Sequence, residues 1–293
     1  MLSIRRILFP TDFSTKSVSA ARYVAALTHR FSAQVMVLHV SHAHATYADG
    51  SDVSLPPAYA LDLAWSQLQE SQAAEKMREF VCSSMRDVEV IPRLLEGDPA
   101  TTIINQANEL NADLIVMTTH GSGVLRRMLL GSVTAKVLHD AKCPVFTIPN
   151  LEPPTSSVGE FRHILCAVDT DMRQQPALRW AMDFSRLVGA QLSVVHVMPE
   201  LVQGQWGDFD VDLRANIRKN VMKQLRPLLD AVNYQEDVIL DSGPVDSKVH
   251  ATAQLEHADL VVVGRHLGSG IWSGLHDESY AIIRESPCPV ACI

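Results

Sequence analysis

Seven residues near the start of the chain, Arg6-Ile-Leu-Phe-Pro-Thr-Asp12, return as His163-Ile-Leu-Cys-Ala-Val-Asp169, and three further segments return after them in the same order. Gln34-Val-Met-Val-Leu-His-Val40 matches Gln191-Leu-Ser-Val-Val-His-Val197, again 157 residues on (Val40 to Val197). Ala112-Asp-Leu-Ile-Val116 matches Ala258-Asp-Leu-Val-Val262, now 146 residues on, and Cys143-Pro-Val145 matches Cys288-Pro-Val290, 145 residues on. Four anchors in one order are the mark of an internal duplication. The drop from 157 to 146 places a deletion of 11 residues in the second copy, between its second and third strands. A chain of 293 residues accommodates two ordinary domains. The expected division is a first domain at 1–149, a Pro- and Ser-rich linker at 150–161 and a second domain at 162–293.

Within the first copy, strand and helix patterns alternate. Strands are expected at Ile4–Pro10, Ala33–Val40, Val88–Leu94, Asn111–Val116 and Pro144–Ile148. Helices are expected at Lys16–Phe31, Leu61–Met85, from Asp98-Pro99 to Leu110, and Thr134–Ala141, with Asp98 as a cap and 41–60 as a polar loop. Alternating α and β with short apolar strands implies an α/β fold whose parallel sheet is covered on both faces.

The most informative loop comes after the fourth strand: Met117-Thr-Thr-His-Gly-Ser-Gly-Val-Leu-Arg-Arg-Met-Leu-Leu-Gly-Ser-Val133. It joins the C-terminal end of a strand to the N-terminus of a helix. Gly121 permits a turn and a close backbone approach, since it has no Cβ. Gly131-Ser132 would open the helix with free N–H groups, a hydroxyl and the positive end of the dipole, which suit an oligophosphate. Turn chemistry, with Ser132 as an ordinary helix N-cap, accounts for the same residues without a ligand. The loop has neither a Gly-Lys-[Ser/Thr] triplet nor a G-x-G-x-x-G run.

His120-Gly121, nine residues, Gly131-Ser132, a helix and a Cys-Pro-Val strand together resemble the G-x-x-G-x9-G-[S/T] arrangement of the universal stress protein family. The resemblance covers both copies, so the chain resembles a tandem, two-domain member. It implies a Rossmann-like, adenine-nucleotide-type sheet of five parallel strands in each copy, in the order 3-2-1-4-5, with the two copies packed as a pseudo-dimer. It also implies a stress-response protein that binds ATP, with Mg2+ on the phosphates. In the family's site, Pro10, Thr11 and Asp12 would lie at the base and ribose, and Val40 would line the adenine pocket. Met117 and Thr118 would flank the ribose; Gly121, Gly131, Ser132 and Val133 would take the phosphates. One position departs from the pattern: the motif's first glycine is Thr118 here. Arg126 and Arg127 lie inside the loop, either as a solvated basic pair or as phosphate contacts.

The second copy departs further. Its loop reads Gly264-Arg-His-Leu-Gly-Ser-Gly-Ile-Trp-Ser-Gly-Leu-His-Asp-Glu278, with Leu267 in place of Gly121; aligning Leu275 with Leu130 puts His276-Asp277 in place of Gly131-Ser132, counting nine residues on from Gly268 gives Glu278, and neither recovers Gly-Ser. Asp277 and Glu278 complement their own helix dipole and repel a phosphate. The second copy is therefore expected not to bind ATP in the family's manner, although Asp169 remains; Trp206 and Trp272 would serve any other ligand, or a core or interface.

Charge and cysteines bound the function. The net charge of −8 argues against a nucleic-acid surface. It divides unevenly: 13 Lys+Arg against 14 Asp+Glu in residues 1–150, and 12 against 19 afterwards. No stretch is apolar for long enough to span a membrane or form a signal peptide. Five cysteines, odd in number and mostly in strand contexts, read as reduced thiols of a cytoplasmic protein. His39, His42 and His44 have loose metal-like spacing, but His39 matches His196, as a fold position would. No general base and transition-state cation stand together, so a nucleotide-dependent regulator is expected rather than an efficient catalyst. A scaffold that binds a protein partner without nucleotide is the alternative, and either form is compatible with a further homodimer. An adenylating enzyme ranks last, because Pro10-Thr-Asp-Phe-Ser14 stands where such enzymes carry a Ser/Gly-rich loop.

Overall fold

The computed structural model describes residues 2–41, 57–119, 130–149, 159–198, 209–265 and 278–293, with the backbone alone at 57–67, 209–214 and 278. The first copy runs β1 (Arg6–Pro10), α1 (Thr15–Phe31), β2 (Gln34–Ser41), α2 (Pro57–Ser84), β3 (Val90–Glu96), α3 (Pro99–Leu110), β4 (Leu114–Thr118), α4 (Ser132–Asp140) and β5 (Val145–Ile148). The second repeats it as β6 (His163–Ala167), a 3-10 turn at Met172–Gln174, α5 (Gln175–Val188), β7 (Gln191–Met198), α6 (Phe209–Val232), β8 (Val238–Ser242), α7 (Val245–Leu255), β9 (Leu260–Val263), α8 (Glu278–Glu285) and β10 (Val290–Cys292).

The apolar strands lack alternation because both of their faces are buried. Ile7 and Phe9 of β1 join one core cluster and Leu8 the other; along β4, Leu114 and Val116 separate from Ile115 and Met117 in the same way. Each cluster contains residues of both copies, so the two domains share a core on each face of the sheet.

Among the described residues, the ten strands form one sheet in the order β3-β2-β1-β4-β5-β10-β9-β6-β7-β8. Each half has the expected 3-2-1-4-5 order with parallel neighbours, and the halves join through the antiparallel pair β5–β10. The register there is self-complementary. Phe146 pairs with Ala291, its own counterpart in the repeat, while Val290 pairs with Thr147 and Cys292 with Val145. That is an isologous contact, as in a two-fold dimer, written into one chain.

Side chains then lock the seam. Phe184 of α5 is fully buried and meets Phe146 at 5.9 Å, Phe161 at 5.2 Å, Phe31 of α1 at 6.0 Å and stacked Trp180 at 4.6 Å between ring centroids. Arg30 of α1 donates to the Val188 carbonyl at 2.5 Å. Gly159, at φ 80°, lies so close to α1 that a Cβ would stand 2.5 Å from that of Ala26. Arg265, just past β9, donates to the carbonyls of Ala141 and Cys143 beyond the end of α4, and to that of Cys292.

The anchors of the repeat have structural causes. Asp113 Oδ2 accepts from the backbone N–H groups of Arg5 and Arg6 at 2.8 and 2.9 Å; Asp259 does the same for Arg162 and His163 at 2.7 and 3.0 Å. The Ala-Asp-Leu signature thus ties the start of the first strand to the start of the fourth in each copy. Gly97 and Gly243, at φ 146° and 132°, donate their N–H to the last residue of β2 and β7 respectively. Asp113→Ala and Asp259→Ala each remove a charged acceptor of two backbone donors. Each is expected to cost about 2 kcal/mol in urea unfolding.

Several boundaries differ from expectation. Helix α2 begins at Pro57 rather than Leu61, since proline is at home in a first helical turn. Strand β3 spans Val90–Glu96, two residues later than expected, because β2 extends to Ser41 and Ser41 pairs with Glu96. The residues lost from the second copy shorten the long helix from 28 to 24 residues and the edge strand from 7 to 5.

The thiols are mostly sheltered. Burial pushes Cys166 and Cys288 up to about 12 and raises Cys143, and Cys292 is 3% exposed. Cys82 differs from the other four in lying exposed, on α2. A thiol-exchange reagent at pH 8 is expected to titrate Cys82 quickly and the rest only on unfolding, because the reactive species is the thiolate.

Candidate functional site

In an open parallel sheet, ligands bind beyond the carboxyl ends of the strands where the winding reverses. In the first domain that place lies between β1 and β4, which are paired through Ile7–Leu114 and Leu8–Ile115. Pro10, Thr11, Asp12, Val40, Met117 and Thr118 all stand at this end, and Gly131, Ser132 and Val133 begin α4 beside it. Gly121, His120, Arg126 and Arg127 lie outside the described residues.

The turn after β1 is tightly determined. Thr11 donates its N–H to the Leu38 carbonyl at 2.8 Å, and its hydroxyl accepts from Phe13 N–H at 3.0 Å. Asp12 Oδ1 accepts from Ser14 N–H at 3.0 Å and from the Ser17 hydroxyl at 2.7 Å. Ser14 is the N-cap of α1, its hydroxyl accepting from Ser17 N–H at 3.3 Å. The Asp12 carboxylate is therefore oriented by a helix N-terminus. Sequence reasoning missed Phe13, which takes φ 61° and stacks on His39 with 4.4 Å between centroids. A positive φ on a bulky residue carries no compositional signal.

His39 is part of the frame. Its Nδ1 donates to the Thr11 carbonyl at 2.8 Å, as His196 Nδ1 does to the Val168 carbonyl at 2.9 Å in the second domain. His42 and His44 lie outside the described residues, and among the described residues no group of three or more His, Cys, Asp or Glu is placed to hold a metal ion.

Val40 is half-buried near the end of β2. Backbone groups of a parallel strand face alternate sides. Leu38 accepts from Thr11 and Ser41 accepts from Gly97, so Val40 turns its N–H and C=O to the side of β1, beyond Pro10, where β1 has ended. Met117 is 5% exposed and packs into the core on the side of α3 and α4.

The start of α4 corrects two expectations. Gly131, not Ser132, is the N-cap, at φ −59° and ψ 140°, and among the described residues no side chain caps this helix. Gly131 N–H is not free either: it donates to the Thr119 carbonyl at 3.0 Å and closes the neck of the loop. The donors left at the helix N-terminus are those of Ser132, Val133 and Thr134, together with the exposed Ser132 hydroxyl, for which no partner stands among the described residues. The Thr134 hydroxyl, also missed from sequence, donates to the Thr118 carbonyl at 3.1 Å and fixes the helix to the strand end. Lys136 is committed elsewhere, at 3.1 Å from Asp98. Hydrogen bonds from Thr101, and then Lys136, hold Asp98 at about 2.

The second domain keeps the frame and changes the fittings. Ser279 donates to the Gly264 carbonyl at 3.2 Å, matching Thr134 and Thr118. Helix α8 opens on Glu278. Asp169 is exposed and, among the described residues, accepts from its neighbour Thr170, without the double restraint of Asp12. Leu267, Trp272, His276, Asp277 and Trp206 lie outside the described residues.

Comparison with known proteins agrees with this duplicated architecture. The model of the universal stress protein family matches the chain twice, over residues 3–149 and 160–293. A universal stress protein of Methanocaldococcus jannaschii, MJ0531, is 34% identical over 147 residues, covering 49% of this chain and 81% of that protein. The Mycobacterium tuberculosis universal stress protein Rv2005c is 26% identical over 305 residues, covering 97% of this chain and 95% of its own length. Among solved structures, a universal stress protein from Archaeoglobus fulgidus superposes with a TM-score of 0.62 at 23% identity, covering 99% of this chain and 96% of that one, which shows the common fold.

Proposed function

The chain belongs to the universal stress protein family, and from that premise we propose that its first domain binds ATP and that the protein acts as a nucleotide-dependent regulator in a stress response. The observation that carries this reading is the uncapped start of α4. The N–H groups of Ser132, Val133 and Thr134 stand at the positive end of a helix, at the switch point of the sheet, and at the same end of the strands as a carboxylate already held in place. Phosphates would lie on Ser132 and Val133, with Gly121 bringing the loop backbone close. Gly131 would serve by its lack of a side chain, since its N–H is engaged.

Asp12 suits ribose hydroxyls or the adenine amino group, all donors. The backbone of Val40 would meet the adenine edge, and Met117 and Thr118 would flank the ribose. Pro10 and Thr11 set the turn that aims Asp12. Mg2+ would ride on the phosphates and keep several of its waters, with the Ser132 hydroxyl as the protein group suited to it. The five free thiols fit a reducing cytoplasm. Among the described residues no helix is long and apolar enough to cross a membrane.

Calorimetric titration of ATP with Mg2+ into nucleotide-stripped protein tests this, with saturation expected at one site per chain. An absence of heat and of any thermal shift would instead favour the scaffold reading, in which Thr118 blocks the approach and the paired domains present a surface to a protein partner. Two sites per chain would overturn the reading of the second domain.

A further inference from the structure

The second domain retains the glycine that the first lacks. Gly264 stands directly after β9 at the position that Thr118, 146 residues earlier, takes at the end of β4. A glycine at a strand end beside a ligand cleft ordinarily allows something to approach the backbone closely. Here the space is filled by the protein itself. A Cβ built on Gly264 would stand 2.1 Å from Gln174 Oε1, 2.9 Å from its Cδ and 3.2 Å from its Nε2. The whole terminal amide of Gln174 thus occupies the approach to β9.

Gln174 is 5% exposed, and its Oε1 is buried with no hydrogen-bond partner among the described residues. An unsatisfied buried acceptor is costly and rarely kept without reason. Its counterpart in the first domain, 157 residues earlier, is Ser17. Ser17 is short, and its hydroxyl donates to Asp12. One position therefore has two consequences. Serine ties the Asp12 carboxylate to the first turn of α1; glutamine leaves Asp169 to its neighbour Thr170 and fills the strand end. Between the two sites lies a difference of backbone as well: the second domain has a 3-10 turn, Met172–Gln174, where the first has the opening turn of α1.

We propose that Gln174 is the residue that excludes a nucleoside from the second domain, its amide standing against Gly264 in the place a ribose would take. This rests on the reading of the first domain as a nucleotide site. It adds that the asymmetry of the chain has a second cause besides the altered phosphate loop.

Adenosine is the probe, because without phosphates it is insensitive to the loop. The full-length protein and Gln174→Ser, which installs the first-domain residue, are titrated with adenosine. Wild type is expected to bind one per chain and Gln174→Ser two. Thermal melts of wild type, Gly264→Ala, Gln174→Ser and the double variant accompany the titration and show that each protein is folded. Gly264→Ala, which must evict the amide, is expected to lower the melting temperature by roughly 2–4 °C. In the Gln174→Ser background the same methyl enters vacated space and the loss is expected to vanish. One adenosine in both proteins, or additive melting shifts, overturns the proposal while leaving the first-domain site intact. Two in wild type overturns it as well. No adenosine in either protein removes the nucleotide reading itself, and the exclusion role falls with it.

Discussion

Phe184→Ala is expected to remove about 3–5 kcal/mol of stability and to weaken both domains at once. The side chain is fully buried and its ring touches aromatic rings contributed by α1, β5, the segment before β6, and α5 itself. Truncation opens a cavity that this crowded seam cannot close by small shifts, and it removes edge-to-face and stacked contacts as well. Trp180, stacked on Phe184, is a reporter at the site of the change. Urea unfolding followed by the fluorescence of the chain's four tryptophans and by far-ultraviolet circular dichroism should give a lower midpoint with coincident transitions, because each core cluster runs through both domains. Two separated transitions in the wild type would show that the seam is an interface between independent units rather than shared core. Replacing Leu68, 47% exposed on α2, is the control and should change stability by no more than about 0.5 kcal/mol.

The second large effect has opposite signs in stability and in binding. Gly131→Asp is expected to abolish ATP binding within the range of a calorimetric titration while leaving the protein slightly more stable, by about 0.5 kcal/mol. Gly131 is an N-cap with extended backbone and no side chain to accept from the first turn. An aspartate there supplies that acceptor and favours the positive end of the helix dipole. The same carboxylate stands where the phosphates would lie, and it satisfies the donors they would use. Loss of binding with a melting temperature unchanged or raised separates removal of a site from damage to the fold. ATP bound equally well by the variant would mean that the phosphates, if present at all, do not rest on α4.

Much of this architecture was legible in the residues. The buried strands announced themselves because a strand covered on both faces needs apolar side chains in succession, and the repeated anchors set the domain count by their spacing alone. The Ala-Asp-Leu anchor was visible as a pattern but not as a cause: its aspartate holds two backbone donors of the first strand, a contact 107 residues long in sequence for Arg6. Helix starts were less legible. Ser132 looked like a cap, yet Gly131 takes that place because its N–H is drawn to the Thr119 carbonyl across the neck of the loop. Phe13 at positive φ, Thr134 bound to the Thr118 carbonyl and Arg265 reaching the end of α4 depend on neighbours distant in the chain.

The sequence by itself determined that the chain is a duplicated α/β protein, that its copies differ at the loop after the fourth strand, and that the family is that of the universal stress proteins. Those properties are written in local periodicity and in residues that recur at constant spacing. The tertiary structure decided how the copies join, with Phe146 opposite its own counterpart Ala291 in a single ten-stranded sheet. It also decided which polar groups at the two clefts are already spent. Whether Gly131 N–H, Ser17 or Gln174 is available to a ligand depends on which groups the fold brings within hydrogen-bonding distance or contact, and no spacing along the chain encodes that.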